Sequence, residues 1–420
     1  MLKWLEAIRR FSNDKIIVLL MTTNWCENCK KQSEILRDLE LEREFSDNFV
    51  FVEEDADERI DLAIRYTPQI YPCISIINKD TILGGTYGLV EKDKLKEILL
   101  LTLDIINRDT NRFTTAKRAK SNKFFFDAKY IFNDIVRKCE AYFDWIEGGF
   151  EREPKHISPE VLRLFLKIKD TYHMGMVIFT LQKAIENIWN NGFYAFSKSK
   201  DWKEPYKAKL VDLNSQMINI LIEVYRTTKD DFFLEYAIKT GDWLLSIRDR
   251  DGHFPVGVFE ENRVGGHYLS VNAMAIEALN EIYTVTGDEK YLLKPNFTLN
   301  HNLHDLSSPL FLYDIVFLLR LLEKRKNYEE VKKILELLIE RYYGNNAFYD
   351  VTEDFARENR IGRYQFLYDN SILGQILLKI GKEELAKNIA TTLASSYYIY
   401  TYFNQAEFAI LLGELYGFFT

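Results

Sequence analysis

Cysteine and histidine are both scarce in this 420-residue chain, with four of the first and six of the second. So few cysteines exclude the disulfide-stapled scaffold on which small secreted domains rely. Long apolar runs are missing as well. The longest near the start, "IIVLLM" at 16–21, falls far short of the ~20 residues a membrane helix needs. The opening "MLKWLEAIRRF" is amphipathic and holds no signal-peptide core. Basic residues are outnumbered, 55 Lys and Arg against 63 Asp and Glu, for a net charge of -8. That balance argues against a nucleic-acid or anionic-membrane partner. The expectation is a cytoplasmic protein.

What is present is 47% hydrophobic and 28% charged residues, the mixture of a well-packed chain. Its length exceeds one ordinary core, so two domains are expected. The scarce residues are also segregated. Cys26, Cys29 and Cys73 fall in the first 75 residues and Cys139 stands alone, whereas all six histidines (His156, His173, His253, His267, His301, His304) follow residue 155. The pattern suggests two chemistries on two domains.

The first hundred residues carry a readable order. "LKWLEAIRRF" has helical spacing, and "KIIVLLMT" is a buried strand. "CENCKKQSEILRDLELEREF" has the spacing of one long helix, with Ile35, Leu36, Leu39 and Phe45 on one side. "NFVFVEED" is a strand and "DERIDLAIRY" a short helix. "CISIIN" and "TILGGTY" are strands joined by a turn at Lys79-Asp80, and "EKDKLKEILLLTL" closes with a helix. A CxxC stands where the first strand hands over to a helix.

This order, α-β-α-β-α-β-β-α over residues 1–105, resembles the thioredoxin fold. Trp25-Cys26-x-x-Cys29-Lys30 resembles that family's WCxxCK motif, and Pro72, preceded by Tyr71, lies where the family carries its cis-proline. The resemblance implies that Cys26 attacks a disulfide, Cys29 resolves it, and Pro72 presents backbone to an extended substrate. The helix N-terminus would lower the pKa of Cys26, with Lys30 adding positive charge and Glu27 opposing it. The family's buried acid, six residues before the first cysteine, is here Leu20. Cys73 reads either as a third redox thiol or as a small apolar residue starting a strand. Two other readings of the pair stay open: half of a zinc site, for which a second CxxC and any nearby histidine are missing, and an inert binding domain.

Residues 106–122, within "NRDTNRFTTAKRAKSN", read as a linker, and 123–420 as a second, all-α domain. Twelve helices are expected there, near 126–143, 158–170, 173–190, 208–227, 230–247, 268–286, 289–298, 308–325, 328–343, 367–381, 383–395 and 403–417. Their connections alternate long and short. That rhythm describes six helical hairpins closed into an (α/α)6 toroid, with long loops at one mouth. Several long loops begin alike: Gly148-Gly149-Phe150, Asn191-Gly192-Phe193, Asp251-Gly252-His253-Phe254 and Asn346-Ala347-Phe348.

A thioredoxin domain followed by such a toroid resembles the thioredoxin-domain-containing family of spermatogenesis-associated protein 20, here in shortened form. "EGGFEREPKHISPEVLRLFL" is similar to that family's GGFxxxPKFPxPxxL segment, and "NGFYAFSKSKDWKEPYKAKLVDLNSQ" to its GGGFxRYSVDxxWxVPHFEKMLYDN segment. The family's His-Phe-Glu-Lys run is here Tyr206-Lys207-Ala208-Lys209, so chemistry depending on that His or Glu is not inherited.

Toroids of this kind are shared with six-hairpin glycosidases and sugar epimerases, which pair aromatic platforms with carboxylates or histidines. Mouth candidates are Phe150, Glu151, Lys155, Trp202, Asp251, His253, His267, Asp350 and Asp369. His301-x-x-His304 has helical spacing but no acidic partner, so no metal and no cofactor is expected. Three functions follow. The first is a thiol–disulfide oxidoreductase acting on a protein or small-molecule disulfide with a cellular reductant. The others are a carbohydrate-active toroid with a sugar at its mouth, and a non-catalytic binding protein.

Overall fold

A computed structural model describes the chain apart from residues 12–14, 24–25, 68–70, 79–80, 109–125, 152, 295–310 and 420. Trp25, the Lys79-Asp80 turn, most of the expected linker, and His301 and His304 therefore lie outside the described residues. The chain divides into two compact units: Met1–Phe124 with Ala356–Gly362, and Phe125–Phe355 with Arg363–Thr420.

The first unit contains α1 (Trp4–Phe11), β1 (Ile16–Thr22), α2 (Glu27–Leu36), α3 (Leu39–Phe45), β2 (Phe49–Asp55), α4 (Ile60–Tyr66), β3 (Cys73–Asn78), β4 (Thr81–Tyr87) and α5 (Lys92–Arg108). The sheet order is β2-β1-β3-β4, parallel between β1 and β2 and antiparallel elsewhere. Val18, Leu19, Leu20 and Met21 of β1 are all fully buried, because a central strand covered on both faces has no solvent side to leave polar. The sheet packs Val18, Leu20, Ile74 and Ile76 against Leu36, Leu41, Phe45, Leu95 and Leu99 of the helices. The long helix expected after the CxxC is broken in two. Asp38 leaves helical geometry and its carboxylate accepts the Glu40 N–H at 2.8 Å, capping α3. At the other end α5 continues to Arg108, so the first residues of the expected linker are helical.

The borrowed segment Ala356–Gly362 is held inside this unit by polar contacts. The Trp4 indole N–H donates to Asn359 O at 3.0 Å, and the Arg360 guanidinium donates to Ile8 O at 2.7 Å.

The second unit is helical: α6 (Ala128–Ala141), α7 (Pro159–Ile168), α8 (Thr171–Ile188), α9 (Val211–Thr228), α10 (Asp231–Ile247), α11 (Leu269–Thr286), α12 (Leu312–Lys324), α13 (Tyr328–Arg341), α15 (Leu367–Lys379), α16 (Glu383–Leu393) and α17 (Tyr402–Tyr416); α14 (Glu353–Asn359) starts in this unit and ends in the segment Ala356–Gly362 assigned to the first. Its long loops carry short strands: β5 (Ala208–Leu210), β6 (Gly257–Phe259) and β7 (Asn262–Val264) in one sheet, β8 (Tyr343–Gly344) and β9 (Ala347–Phe348) in another. Helices α7, α9, α11, α12, α15 and α17 contact one another in turn and close a ring, with α17 returning to α7. Outside it, α6 packs on α17, α8 on α7, α10 on α9, α13 on α12 and α16 on α15. This is the (α/α)6 toroid.

The sequences of the two rings differ as their surroundings demand. Outer α16 buries one stripe, Ala386, Ile389, Ala390 and Leu393, and leaves the rest to solvent. Inner α11 buries Ser270 to Leu279 without a break. One expected helix is corrected. Where 289–298 was read as helical, the chain makes a single 3-10 turn at Glu289–Tyr291 and then leaves helical geometry over 292–294. That turn still packs on α11, with Tyr291 buried.

Three long loops share one device. The backbone of Phe193, Phe254 and Phe348 is clamped from both sides by an asparagine on the following inner helix. Asn214, Asn272 and Asn370 each accept the Phe N–H and donate to its C=O, at 2.6 to 3.2 Å. Each Phe is fully buried, so the clamp satisfies groups that water cannot reach.

Candidate functional site

In the first unit Cys26 is the N-cap of α2, and its sulfur accepts the Cys29 N–H at 3.1 Å. The two sulfurs form a disulfide with Cα atoms 5.3 Å apart. Both cysteines are buried, Cys26 keeping 9% of its surface and Cys29 2%, while Lys30 is exposed. Cys26 is the more accessible of the two and stands at the free N–H end of a helix, where a thiolate is favoured. The Tyr71–Pro72 peptide is cis. Met21 pairs with Cys73, so the strand end that leads to the CxxC runs beside Pro72.

The neighbours of the dithiol settle some sequence readings. Leu20 is fully buried, so the core side of β1 offers no carboxylate at that position. Cys73 is buried with its thiol pushed up by burial, its sulfur 3.8 Å from the Ser75 hydroxyl. A raised pKa and no exposure suit an inert packing role. Burial, with Asp57, Cys73 and Asp55 adding to it against a hydrogen bond to Thr67, pushes the half-buried Tyr71 phenol up to about 12.

The toroid sorts its nine mouth candidates differently. Phe150 and Trp202 are fully buried, not aromatic platforms. Phe150 packs on Phe143 and Phe165, and the Trp202 indole donates to Glu147 O at 2.8 Å. Gly149, at φ 71°, lies so close to that indole that a Cβ would stand 2.4 Å from Trp202 Cζ2. Lys155 is wholly buried, its ammonium bridging Asp144 at 2.5 Å and Glu151 O at 2.9 Å. These positions hold two successive long loops together, which is why their motifs are so legible. Asp251 is exposed; His253 and His267 lie beside Asp249 in the same long loop.

Asp350 and Asp369 are brought together in the interior. Asp350 is buried and accepts the Tyr364 N–H at 2.8 Å. Burial, reinforced by Asp350 and Asp314, raises the Asp369 carboxyl to about 8. Residues that sequence reasoning missed complete the group. Glu160, Asp212 and Asp314 stand in the first turns of α7, α9 and α12, as Asp369 does in α15. Burial raises Glu160 to about 7 and lifts Asp212 and Asp314 as well. Tyr313 and Tyr368 stack at 6.2 Å among them, and burial pushes both phenols far up. The available signal was Leu-Tyr-Asp, present at both 312–314 and 367–369. Carboxyls raised toward neutral pH are what general acid–base chemistry requires.

Toward the opposite ends of the same inner helices lies a cavity of about 540 Å³, lined by Arg163, Gln216, Glu277, Arg320 and Gln375 among others. Its charges are paired. Glu407, fully buried, takes Arg163 at 2.7 Å and Gln375 at 2.9 Å, and Glu277 takes Arg320 at 2.8 Å and Lys324 at 2.9 Å.

With that geometry in hand, comparison with known proteins gives the following. The thioredoxin family matches residues 3–100. Those residues are a thioredoxin domain. No curated protein matches the chain by sequence. A solved structure described as a novel alpha-amylase from Clostridium perfringens aligns with 70% of this chain and 99% of its own, at 11% identity and a TM-score of 0.52. At that identity the likeness speaks for the toroid fold alone. A sugar epimerase from a ruminal bacterium aligns over 64% of this chain and 86% of its own, at 13% identity and TM-score 0.49. The Drosophila melanogaster germline thioredoxin Deadhead covers 23% of this chain and 90% of its own, at 25% identity and TM-score 0.21. Among the described residues, no helix is long and apolar enough to cross a membrane.

Proposed function

We propose that the protein is a thiol–disulfide oxidoreductase whose toroid recognises the substrate or partner. The observation that carries the reading is the position of Cys26: N-cap of α2, disulfide-bonded to Cys29, at the strand end that runs beside the cis Tyr71–Pro72 peptide. The Cys26 thiolate attacks a substrate disulfide and releases one substrate thiol. Cys29 then displaces the second substrate sulfur, closing the disulfide, and a dithiol reductant in the cytoplasm restores the pair. Insulin reduction driven by dithiothreitol tests it. Cys26→Ser should remove the rate above background, Cys29→Ser should trap a mixed disulfide, and Cys139→Ser should change neither. An unreactive wild-type pair would sink the proposal. The shared segments at 147–166 and 191–216 support assignment as a shortened member of the spermatogenesis-associated protein 20 family.

A second reading rests on the interior acids. The raised carboxyls of Asp369 and Glu160 around stacked Tyr313 and Tyr368 support a carbohydrate-active toroid, and a solved structure that shares its fold is described as an alpha-amylase. Isothermal titration with mono- and disaccharides decides this. Binding lost in Asp350→Asn and Asp369→Asn favours it, and unaltered binding in both removes it.

A further inference from the structure

We propose that Asp249, His253 and His267 form a binding site for a divalent transition-metal ion of borderline softness, such as Zn²⁺ or Co²⁺, in the long loop between α10 and α11.

Residues 249–253 make a closed turn. The Asp249 N–H donates to His253 O at 2.9 Å, the Gly252 N–H donates to Asp249 O at 3.2 Å, and Gly252 takes φ 89°. The next residue, Phe254, is anchored in the core by Asn272, so the main chain of His253 is fixed. The β6–β7 hairpin then carries the chain out and back. Gly265, at φ 74°, sits against Val256 where a Cβ would stand 2.5 Å from Cγ2. His267 follows two residues later, immediately before the N-cap of α11. The hairpin's two ends are thus held side by side, one histidine on each.

The side chains converge. The Asp249 Oδ1 accepts the His253 N–H at 2.7 Å, which orients the carboxylate and leaves Oδ2 toward the imidazoles. Oδ2 lies 3.2 Å from His267 Nε2 and 3.8 Å from His253 Nδ1. The rings are 5.4 Å apart between centroids, and one donor atom from each residue falls within 4.8 Å of the other two. A four-coordinate ion with bonds of ~2.0–2.1 Å separates its donors by about 3.3 Å. The two carboxylate–imidazole separations, 3.2 and 3.8 Å, already bracket that value, and side-chain rotation at two partly exposed histidines adjusts the third. Two imidazoles and one carboxylate suit a borderline ion better than Mg²⁺ or Ca²⁺, which take oxygen, and the fourth position falls to water.

The test uses the full-length, metal-stripped protein with Cys26–Cys29 oxidised, so that the thiolates cannot compete. Zn²⁺ alone is titrated calorimetrically, and Co²⁺ is followed by its visible d–d absorption. One equivalent should bind, with nitrogen–oxygen and no thiolate charge-transfer character. His253→Gln and His267→Gln should each weaken binding at least tenfold, and binding should fall as acid protonates the imidazoles. Metal should also shield both histidines of the wild-type protein from diethylpyrocarbonate, a readout that needs no variant to fold. The proposal is overturned by an absence of micromolar binding, or by binding that the double variant retains.

Discussion

At the scale of single residues, burial decides which chemistry a side chain keeps. Cys26 and Cys73 are both largely buried, yet one caps a helix and the other packs in a strand with its thiol raised. Glu277 shows the same logic in a charge. Burial opposes its ionisation, but Arg320 and Lys324 overcome it and hold the carboxyl at about 2. Removing one member of such a pair strands the other charge out of water. Glu277→Gln should therefore cost about 3–5 kcal/mol in urea unfolding at neutral pH. The sign with pH follows from the depressed value. The wild-type advantage is present above the carboxyl's ordinary range near 4.5 and fades as pH falls toward 2, so the two proteins should converge in acid.

At the scale of elements, much was readable and the exceptions have causes. Strands β1, β2 and β3 announce themselves by branched apolar runs, and the outer helices by single stripes. The α2–α3 break was hidden because Asp38 sits at a polar position of an otherwise continuous helical spacing, where only its cap to Glu40 ends the run. Phe150 and Trp202, in two successive long loops, looked like exposed platforms because those loops are polar. Left-handed Gly148 and Gly149 in fact bring the Phe150 loop against the Trp202 indole, and both rings are covered. The asparagine clamps were also hidden, since Phe348 and Asn370 are 22 positions apart in sequence. Asn370→Ala should leave a buried N–H and C=O of Phe348 unpaired and cost about 2–4 kcal/mol. Equilibrium denaturation measures that, and a loss under 1 kcal/mol would mean the loop re-pairs without the clamp.

At the scale of the molecule, the toroid concentrates acids whose protonated form burial favours. Asp369 and Glu160, at about 8 and 7, are raised above the values their unfolded chains would have. A raised acid supports the native state fully below the unfolded value near 4, and that support is lost as pH climbs through the native one. The melting temperature of the helical unit should therefore decline between pH 5 and 9. Asp369→Asn, which keeps the shape without the charge, should flatten the decline; identical slopes would show that Asp369 does not drive it.

Residue order alone determined the thioredoxin order of the first hundred residues, the cysteine pair with its proline, and the alternation of loops that closes six hairpins. Each is a local pattern of period, turn or spacing, and local patterns survive in one dimension. Tertiary structure decided which acids share the interior, which aromatics are sealed away, and that Asp249, His253 and His267 meet. Those are matters of convergence between first turns of separate helices and the two ends of a hairpin. Charge and desolvation act over a few ångströms of space, whatever the number of residues between.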